Sequence, residues 1–439
     1  MYINPIANRA ILCVLCLFLY STHVKGQANM EDLFDLDFGS NSIYYKHYAG
    51  KLDSVFYLPD SVCVNGRCMP IKAIDLGAFI KRDELKEVIL PRTLEVIGSE
   101  AFSECKSLEF IRIPPKVNQI DADAFAMANL RSVEVAKDNP FYDSRFNCNA
   151  VIETNTNSLI VGTSSTVIPN SVTRIGKYAF SGRQGLERIY IPKNVLAIED
   201  HAFNRCVNLK DMSFKTNTSQ DGCIRGVESI GVLSFYGCAM ESISLPKTLK
   251  VISHWAFSEC TNLQAIFIPA NVDSIGVSIL SHCSNLESVT VDSRNINYDS
   301  RNNCNAIIES KSNKLIAGCK NSTVPKSVRI IGRGAFAGQD GIKHMVLPDG
   351  IVEIEEGAFN ACKNLESIVL PESIRELGDY FGGCNKLKRI IVHSKTPPNH
   401  AFDQSMDYQN ITLCVPKGYV KRYRESGWDM FKNICEIER

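Results

Sequence analysis

The chain carries 17 Cys and 8 His among its 439 residues, the side chains first weighed for chemistry. One pair stands apart, in Cys63-Val64-Asn65-Gly66-Arg67-Cys68. Asn-Gly is the signature of a type I′ hairpin turn, so Val64 and Arg67 close the turn. Cys63 and Cys68 then face each other at a non-hydrogen-bonded position, with Cα atoms near enough to bridge. A disulfide is expected there. Cys105, Cys206, Cys238, Cys260, Cys283, Cys362 and Cys384 are different, for they recur one at a time at equivalent places along the chain. A lone thiol per unit, with no Cys-x-x-Cys or His partner nearby, reads as a small buried side chain and not as a metal ligand. The pairing of Cys304, Cys319, Cys414 and Cys435 is left open by their spacing.

No catalytic constellation emerges. The histidines are scattered, and His201 and His254 fall where solvent exposure is expected. Neither His-Glu-x-x-His nor Gly-x-Ser-x-Gly occurs. Gly332-Arg333-Gly334 with Gly338 has the wrong spacing for a phosphate loop. Glu355-Glu356 reads as a solvated pair, and the twin Asp143-Ser144-Arg145 and Asp299-Ser300-Arg301 as turns capped by Asp. No catalytic residue, metal site or cofactor is expected.

The elements that hold these residues come from one repeated unit. Its frame starts at Leu85, Leu108, Leu130, Leu186, Leu209, Met240, Leu263, Leu286, Ile342, Leu365 and Leu387. Each unit reads L-x-x-I-x-I-P, then an aliphatic pair, then Ala-Phe, then x-x-Cys before the next start. The fourth and sixth places share one face of a strand, and Pro at the seventh ends it. Such a unit cannot bury its apolar face alone and must stack on its neighbours. The expected fold is a β-rich repeat solenoid, an α/β-type horseshoe with a continuous parallel concave sheet and about 13 coils. At ~4.8 Å per strand the ribbon is on the order of 60 Å long.

The third and fifth places of each unit point outward from the concave sheet. They hold Phe110 with Arg112, Arg188 with Tyr190, Phe267, and His344 with Val346. Aromatics beside Arg on a rigid sheet are the residue types that dominate interfaces and stack on sugars, so Phe110, Arg112, Arg188, Tyr190, Phe267 and His344 are the candidate partner-binding set.

A larger duplication overlies the small one. DSRFNCNAVIETNTNSLIVG (143–162) matches DSRNNCNAIIESKSNKLIAG (299–318) at an offset of 156 residues. The expected organisation is therefore a signal peptide (1–26), a loosely ordered start (27–42) and an N-terminal cap (43–84). The solenoid follows (85–395, with copied blocks 130–285 and 286–395), then a C-terminal cap (396–439) with a short helix over 416–426. Residues 1–26 read as a cleavable secretory signal because an apolar run, Ala10 to Tyr20, follows Arg9 and ends near Val24-Lys25-Gly26. That run is too short to span a bilayer, and no other long apolar run follows. The 48 basic and 48 acidic side chains cancel, which argues against a nucleic-acid partner. With 45% hydrophobic residues the chain is not disordered.

These units, including LQAIFIPANVDSIG (263–276), LESIVLPESIRELG (365–378) and the DSRxNCNAIIE segment, resemble the BspA-like leucine-rich repeats of exported bacterial proteins. The resemblance runs over residues 43–439, with local departures at Ser278-Ile279-Leu280 and at the polar insertion 215–226. It implies a non-enzymatic surface protein for adhesion or recognition, secreted or held at the cell surface or in the periplasm. The implied partner is a protein or glycan on a host or neighbouring cell. Two other readings remain: a structural or accessory envelope protein without a host partner, and, remotely, a solenoid polysaccharide-degrading enzyme.

Overall fold

A computed structural model describes residues 30–46, 50–218, 224–378, 381–401 and 408–437. The expected signal peptide lies outside the described residues. The rest is a parallel β-solenoid of about 15 turns with little helix.

One coil explains the others. Leu108 is fully buried and opens it. In the strand Phe110–Ile113, Ile111 and Ile113 point into the core while Arg112 faces solvent. Each such buried aliphatic side chain contributes about 1.5–3 kcal/mol. The strand pairs in parallel with Ser132–Val135, Ile111 beside Val133 and Ile113 beside Val135. After the Pro turn, Gln119–Ile120 joins a second parallel ladder with Val96–Ile97. Ala124 and Phe125 then fold back inward.

That third side is also held between coils by backbone hydrogen bonds. The Phe102 N–H donates to the Ala124 carbonyl at 2.7 Å, and the Glu104 N–H to Ala126 at 2.8 Å. Left-handed backbone flanks most of the Ala-Phe pairs on both sides, as at Glu100 (φ 54°) and Glu104 (φ 58°). The phenylalanines consequently stack, Phe79 on Phe102 at 4.9 Å and Phe102 on Phe125 at 5.2 Å. A second stack runs Phe180, Phe203, Phe235, Phe257, and a third runs Phe336, Phe359, Phe381. At 279–280, Ile279 and Leu280 take the inward places and the Phe257 N–H still meets the Ile279 carbonyl at 3.0 Å.

The concave strands follow one another coil by coil, but their ladder is not continuous as expected. It divides into four stretches, beginning at Val55–Tyr57, Arg188–Ile191, Ser242–Ile243 and His344–Val346. Two breaks coincide with the lengthened coils at 136–168 and 292–324. There the chain makes antiparallel pairs instead, Ala150–Glu153 with Ser158–Gly162 and Ala306–Glu309 with Lys314–Gly318. The remaining break follows the insertion at 215–226, where Asn217–Thr218 pairs with Ile224–Arg225.

Both ends differ from expectation. Residues 30–42 are built into the fold: Met30–Leu33 is a helical turn and Phe34–Asp37 pairs antiparallel with Ser42–Tyr45. The acidic residues there mask an apolar pair, Leu33 and Phe34, which is buried, and the Phe34 ring meets Phe79 edge-on at 5.0 Å. The ladders also run through both expected caps, from Val55–Tyr57 to Asn433–Glu436, which accounts for the additional turns. Near the C-terminus the helix is shorter than expected, Val420–Tyr423 with a wider turn at Arg424–Trp428. Tyr423, Trp428 and Phe431 are fully buried and close that end.

Candidate functional site

The strands that bury the core inward present their alternate residues on the concave face. Arg112, Arg188, Tyr190, Phe267 and His344 are exposed there, whereas Phe110 is half-buried between Glu87 and Ser132 of the flanking coils. Arg112 reaches Glu134 on the next coil at 3.8 Å. Arg188 and Tyr190 lie beside Asp211 and Ser213, and Phe267 beside Thr290. His344 Nδ1 and Ser367 Oγ are 2.9 Å apart. The six residues thus sit in one row of coils but on four separate ladder stretches, so they form a succession of local patches.

Two further exposed apolar residues belong to this row. Tyr57, 47% exposed, and Ile89, 36% exposed, lie side by side on adjacent strands. The signal for Tyr57 was present in Leu52-Asp53-Ser54-Val55-Phe56-Tyr57-Leu58-Pro59, which is the repeat with one extra residue before the strand, and Ile89 holds the fifth place of the unit that starts at Leu85.

The lengthened coils are built from side-chain substitutes for backbone. Asn149 Oδ1 accepts the Val133 N–H at 2.8 Å and its Nδ2 donates to the Arg131 carbonyl at 2.9 Å. Asn305 repeats this on Val289 and Glu287, both at 2.7 Å. One asparagine therefore stands in for the strand that the ladder lacks. Asn139 and Asn295, both buried, tie the loop entry to the preceding Pro turn in the same way. The Asp-Ser-Arg twins are more than capped turns. Arg145 Nη2 meets Asp143 Oδ2 at 2.7 Å and Arg301 Nη2 meets Asp299 Oδ2 at 2.6 Å, each Arg also reaching a downstream Asn.

Cys63 and Cys68 are joined by a disulfide on antiparallel strands, with Cα atoms 3.9 Å apart. Cys304 and Cys319 are unbridged. Cys319 lies 3.2 Å from Asn305 Nδ2, while its counterpart Thr163 donates to the Asn149 carbonyl at 3.1 Å. Cys414 and Cys435 are unbridged on neighbouring strands, their sulfurs 2.8 Å apart.

The recurrent cysteines do more than fill space. Each thiol donates to the carbonyl of the Phe in an earlier coil: Cys105 to Phe79, Cys206 to Phe180, Cys238 to Phe203, Cys260 to Phe235 and Cys283 to Phe257, at 2.9–3.2 Å. Cys362 and Cys384 do the same to Phe336 and Phe359. Burial pushes the thiols of Cys105, Cys206 and Cys260 up to about 12. They are therefore uncharged and sheltered, the opposite of a nucleophile's setting.

Other titratable groups have structural partners. His201 is half-buried, against the expected exposure, because its ring stacks on Tyr178 at 4.5 Å, and that burial lowers its pKa. His254 is exposed, and its Nδ1 accepts the Val277 N–H at 2.9 Å. Glu355 and Glu356 separately pair with Lys314 and Arg333. Among the described residues no group of three His, Cys, Asp or Glu side chains assembles as a metal site, and no helix is long and apolar enough to cross a membrane.

Comparison with known families finds the BspA type leucine-rich repeat region in 6 copies, over residues 72–162, 152–223, 223–316 and 306–423. No curated protein matches. Among solved structures, a leucine-rich cell surface protein of Faecalibacterium prausnitzii is similar at 21% identity, covering 92% of this chain and 93% of its own, with a TM-score of 0.43. A leucine-rich repeat protein of Bacteroides ovatus follows at 20% identity over 92% and 98%, TM-score 0.42. The pneumococcal vaccine antigen PcpA is similar at 15% identity over 91% and 94%, TM-score 0.38.

Proposed function

This chain belongs to the BspA-type leucine-rich repeat family, and from that premise we propose that it is an exported, non-enzymatic recognition protein that binds a protein or glycan partner through its concave face. The observation that carries the reading is the exposure of Tyr190 and Phe267, 46% and 49%, on strands whose opposite faces are buried in the core. A ring held on such a strand loses little conformational entropy on contact, so its burial is converted into affinity with small losses. Thr166, Val167 and Ser213 surround Arg188 and Tyr190 in a shallow cleft of about 190 Å³, a place where a partner side chain or sugar ring can seat.

The test is direct. Replacing Phe110, Tyr190 and Phe267 together by Ser is expected to lower affinity for a captured partner at least tenfold, while the melting temperature and circular dichroism stay unchanged. Affinity equal to wild type in that variant rejects the concave face. Protease shaving of intact cells checks the surface location: release of peptides containing Tyr190 and Phe267 is expected. Their protection, with a periplasmic control cleaved only after lysis, favours an envelope protein without a host partner.

A further inference from the structure

The two lengthened coils leave more than gaps in the ladder. Each opens a cleft on the concave side, about 620 Å³ at the first copy and about 680 Å³ at the second. Most wall positions correspond at the 156-residue offset: Ser132 and Ser288, Asn147 and Asn303, Asn149 and Asn305 all line them, while Glu134, Ala136 and Lys137 of the first stand where the second has Thr290, Asp292 and Ser293. Both clefts arise from one cause. Where a concave strand is missing, a single Asn side chain closes the ladder and the space beside it stays open.

The walls are polar in both clefts, but their charges differ: the first includes exposed Lys137, which has no ion pair among the described residues, and the second has Ser293 in its place. Each Arg inside is matched to a carboxylate of the same cleft, Arg145 to Asp143 and Arg301 to Asp299. What the two clefts share is therefore a set of hydrogen-bonding groups and not a field of one sign. Asn147 and Asn303 add the decisive feature. Both are exposed, and among the described residues neither side chain spends a hydrogen bond within the protein. Both hold left-handed backbone, φ 53° and 51°, which presents the amide into the opening. In the first copy Phe146, 84% exposed and also left-handed at φ 58°, stands between two lining residues. Its counterpart in the second copy is Asn302.

We propose that these paired clefts bind two segments of one neutral, hydroxyl-rich polymer, a polysaccharide chain, so that the protein grips it bivalently; the inference rests on the concave-face reading above. An anionic polymer would meet an exposed cation, Lys137, at the first cleft and only Ser293 at the same place in the second, so charge does not reward gripping both; neutral sugar hydroxyls suit the free amides and hydroxyls that both share, with the Phe146 ring beside the first for stacking. Roughly six coil steps at ~4.8 Å separate the clefts by on the order of 30 Å. A short ligand fills one cleft at a time, while a long chain reaches both, and the second contact is made at high effective concentration.

The experiment uses the chain from residue 27 onward against immobilised mannan, galactan and dextran, each as a long chain and as an oligosaccharide of about six sugars, with polygalacturonate as the anionic comparator. At least one neutral polymer is expected to bind ten times more tightly, or better, as the long chain than as the oligosaccharide. The pair Lys137→Ala with Asn147→Gly, or the pair Ser293→Ala with Asn303→Gly, is expected to remove that gain alone, and both pairs together to abolish binding. Glycine is favoured at the left-handed positions, so these variants keep the fold, and an unchanged melting temperature verifies it. The proposal is overturned if no neutral polymer binds, if chain length makes no difference, if the doubly altered protein binds as wild type, or if polygalacturonate binds best. A protein partner that still depends on Tyr190 and Phe267 in any of those cases leaves the concave-face reading standing while the clefts lose their role.

Discussion

Arg183 is the residue where the copied block meets its neighbour. It is fully buried and occupies the place that Cys holds in an ordinary coil. Because the preceding coil is lengthened, a thiol there does not reach, and the longer side chain donates instead to the carbonyls of Gly162 at 2.7 Å, Phe125 at 3.1 Å and Ala128. No carboxylate accompanies it, and burial lowers its pKa to about 10. The second copy meets the same need with neutral Gln339, whose Nε2 reaches the Cys283 carbonyl at 3.3 Å. Arg183→Gln is therefore expected to shift the urea midpoint by less than the equivalent of about 1 kcal/mol, in either direction, since a buried charge is exchanged for a polar group. Arg183→Ala takes this donor from four carbonyls, that of Ser181 included, and leaves a cavity, at a cost on the order of 3 kcal/mol in the same titration. Gly162 makes the matching point about space. A Cβ there would lie 2.1 Å from the Phe180 ring, which is pinned by its stack on Phe203 at 4.9 Å. Gly162→Ala is expected to destabilise by about 3 kcal/mol or more, read as an earlier melt. None of this was legible in the sequence, where an Arg after Ser-Gly carries no sign of burial. Only its alignment with both Gln339 and the Cys column distinguishes it.

At the scale of the coil, the turn that carries Ala-Phe stores strain that its sequence advertises only in part. Glycine occupies some left-handed places, as at Gly182, Gly237 and Gly338, but Glu259, His282 and Ala361 occupy others. An L-residue there costs about 1–2 kcal/mol. Ala361→Gly removes that strain and no contact of consequence, so a gain of about 0.5–1 kcal/mol is expected in thermal melts. The thiol column gives the coil its pH response. An unfolded Cys ionises near ~8.5, whereas Cys105, Cys206 and Cys260 are held at about 12. The folded state thus keeps protons that the unfolded state loses, and stability is complete below pH ~8.5 and falls between there and about 12. Each such thiol contributes a slope of about 1.4 kcal/mol per pH unit. A melting temperature flat from pH 6 to 8 and dropping steeply by pH 10 is expected, with the drop lessened in Cys105→Ala. The strand and its inward aliphatics were readable from period-2 spacing, because burial enforces that pattern in every coil. The thiol bonds were not, since a column of small residues looks the same whether or not it donates.

Across the whole molecule the core falls into three clusters, spanning Leu33 to Val161, Cys148 to Cys319 and Cys304 to Phe431. They overlap in sequence at the lengthened coils, where the aromatic stacks also stop and restart. Repeats that contact only their neighbours can be removed as a block when the faces left behind are equivalent. Deleting residues 147–302 joins two such faces. The shortened protein is expected to keep a cooperative melt and the same β-type circular dichroism, and to retain one concave cleft. Loss of cooperative folding in that variant shows that the two copies no longer stack alike. The repeat frame, the duplication and the order of coils were all plain in the amino-acid sequence. The breaks in the concave ladder were not, because they depend on Asn149 and Asn305 substituting for a strand, and Asn in a loop carries no such signal by itself. The candidate face was legible for the same reason as the core: outward places are fixed by inward ones. Tyr57 escaped because one extra residue displaced the first coil from the frame.

The direction of the thiol bonds has a consequence for how such a chain is made. Cys105, Cys206, Cys260 and the others all look backward, to a carbonyl 25 or 26 residues nearer the N-terminus, or 35 for Cys238, whose coil carries the insertion. Nothing still to come is needed for that bond. A chain that emerges N-terminus first finds each carbonyl already in place when its cysteine arrives, so the coils close in order like the teeth of a ratchet. A chain delivered in the reverse order would present every cysteine before its acceptor existed, which gives this solenoid a preferred sense of assembly written into its side chains.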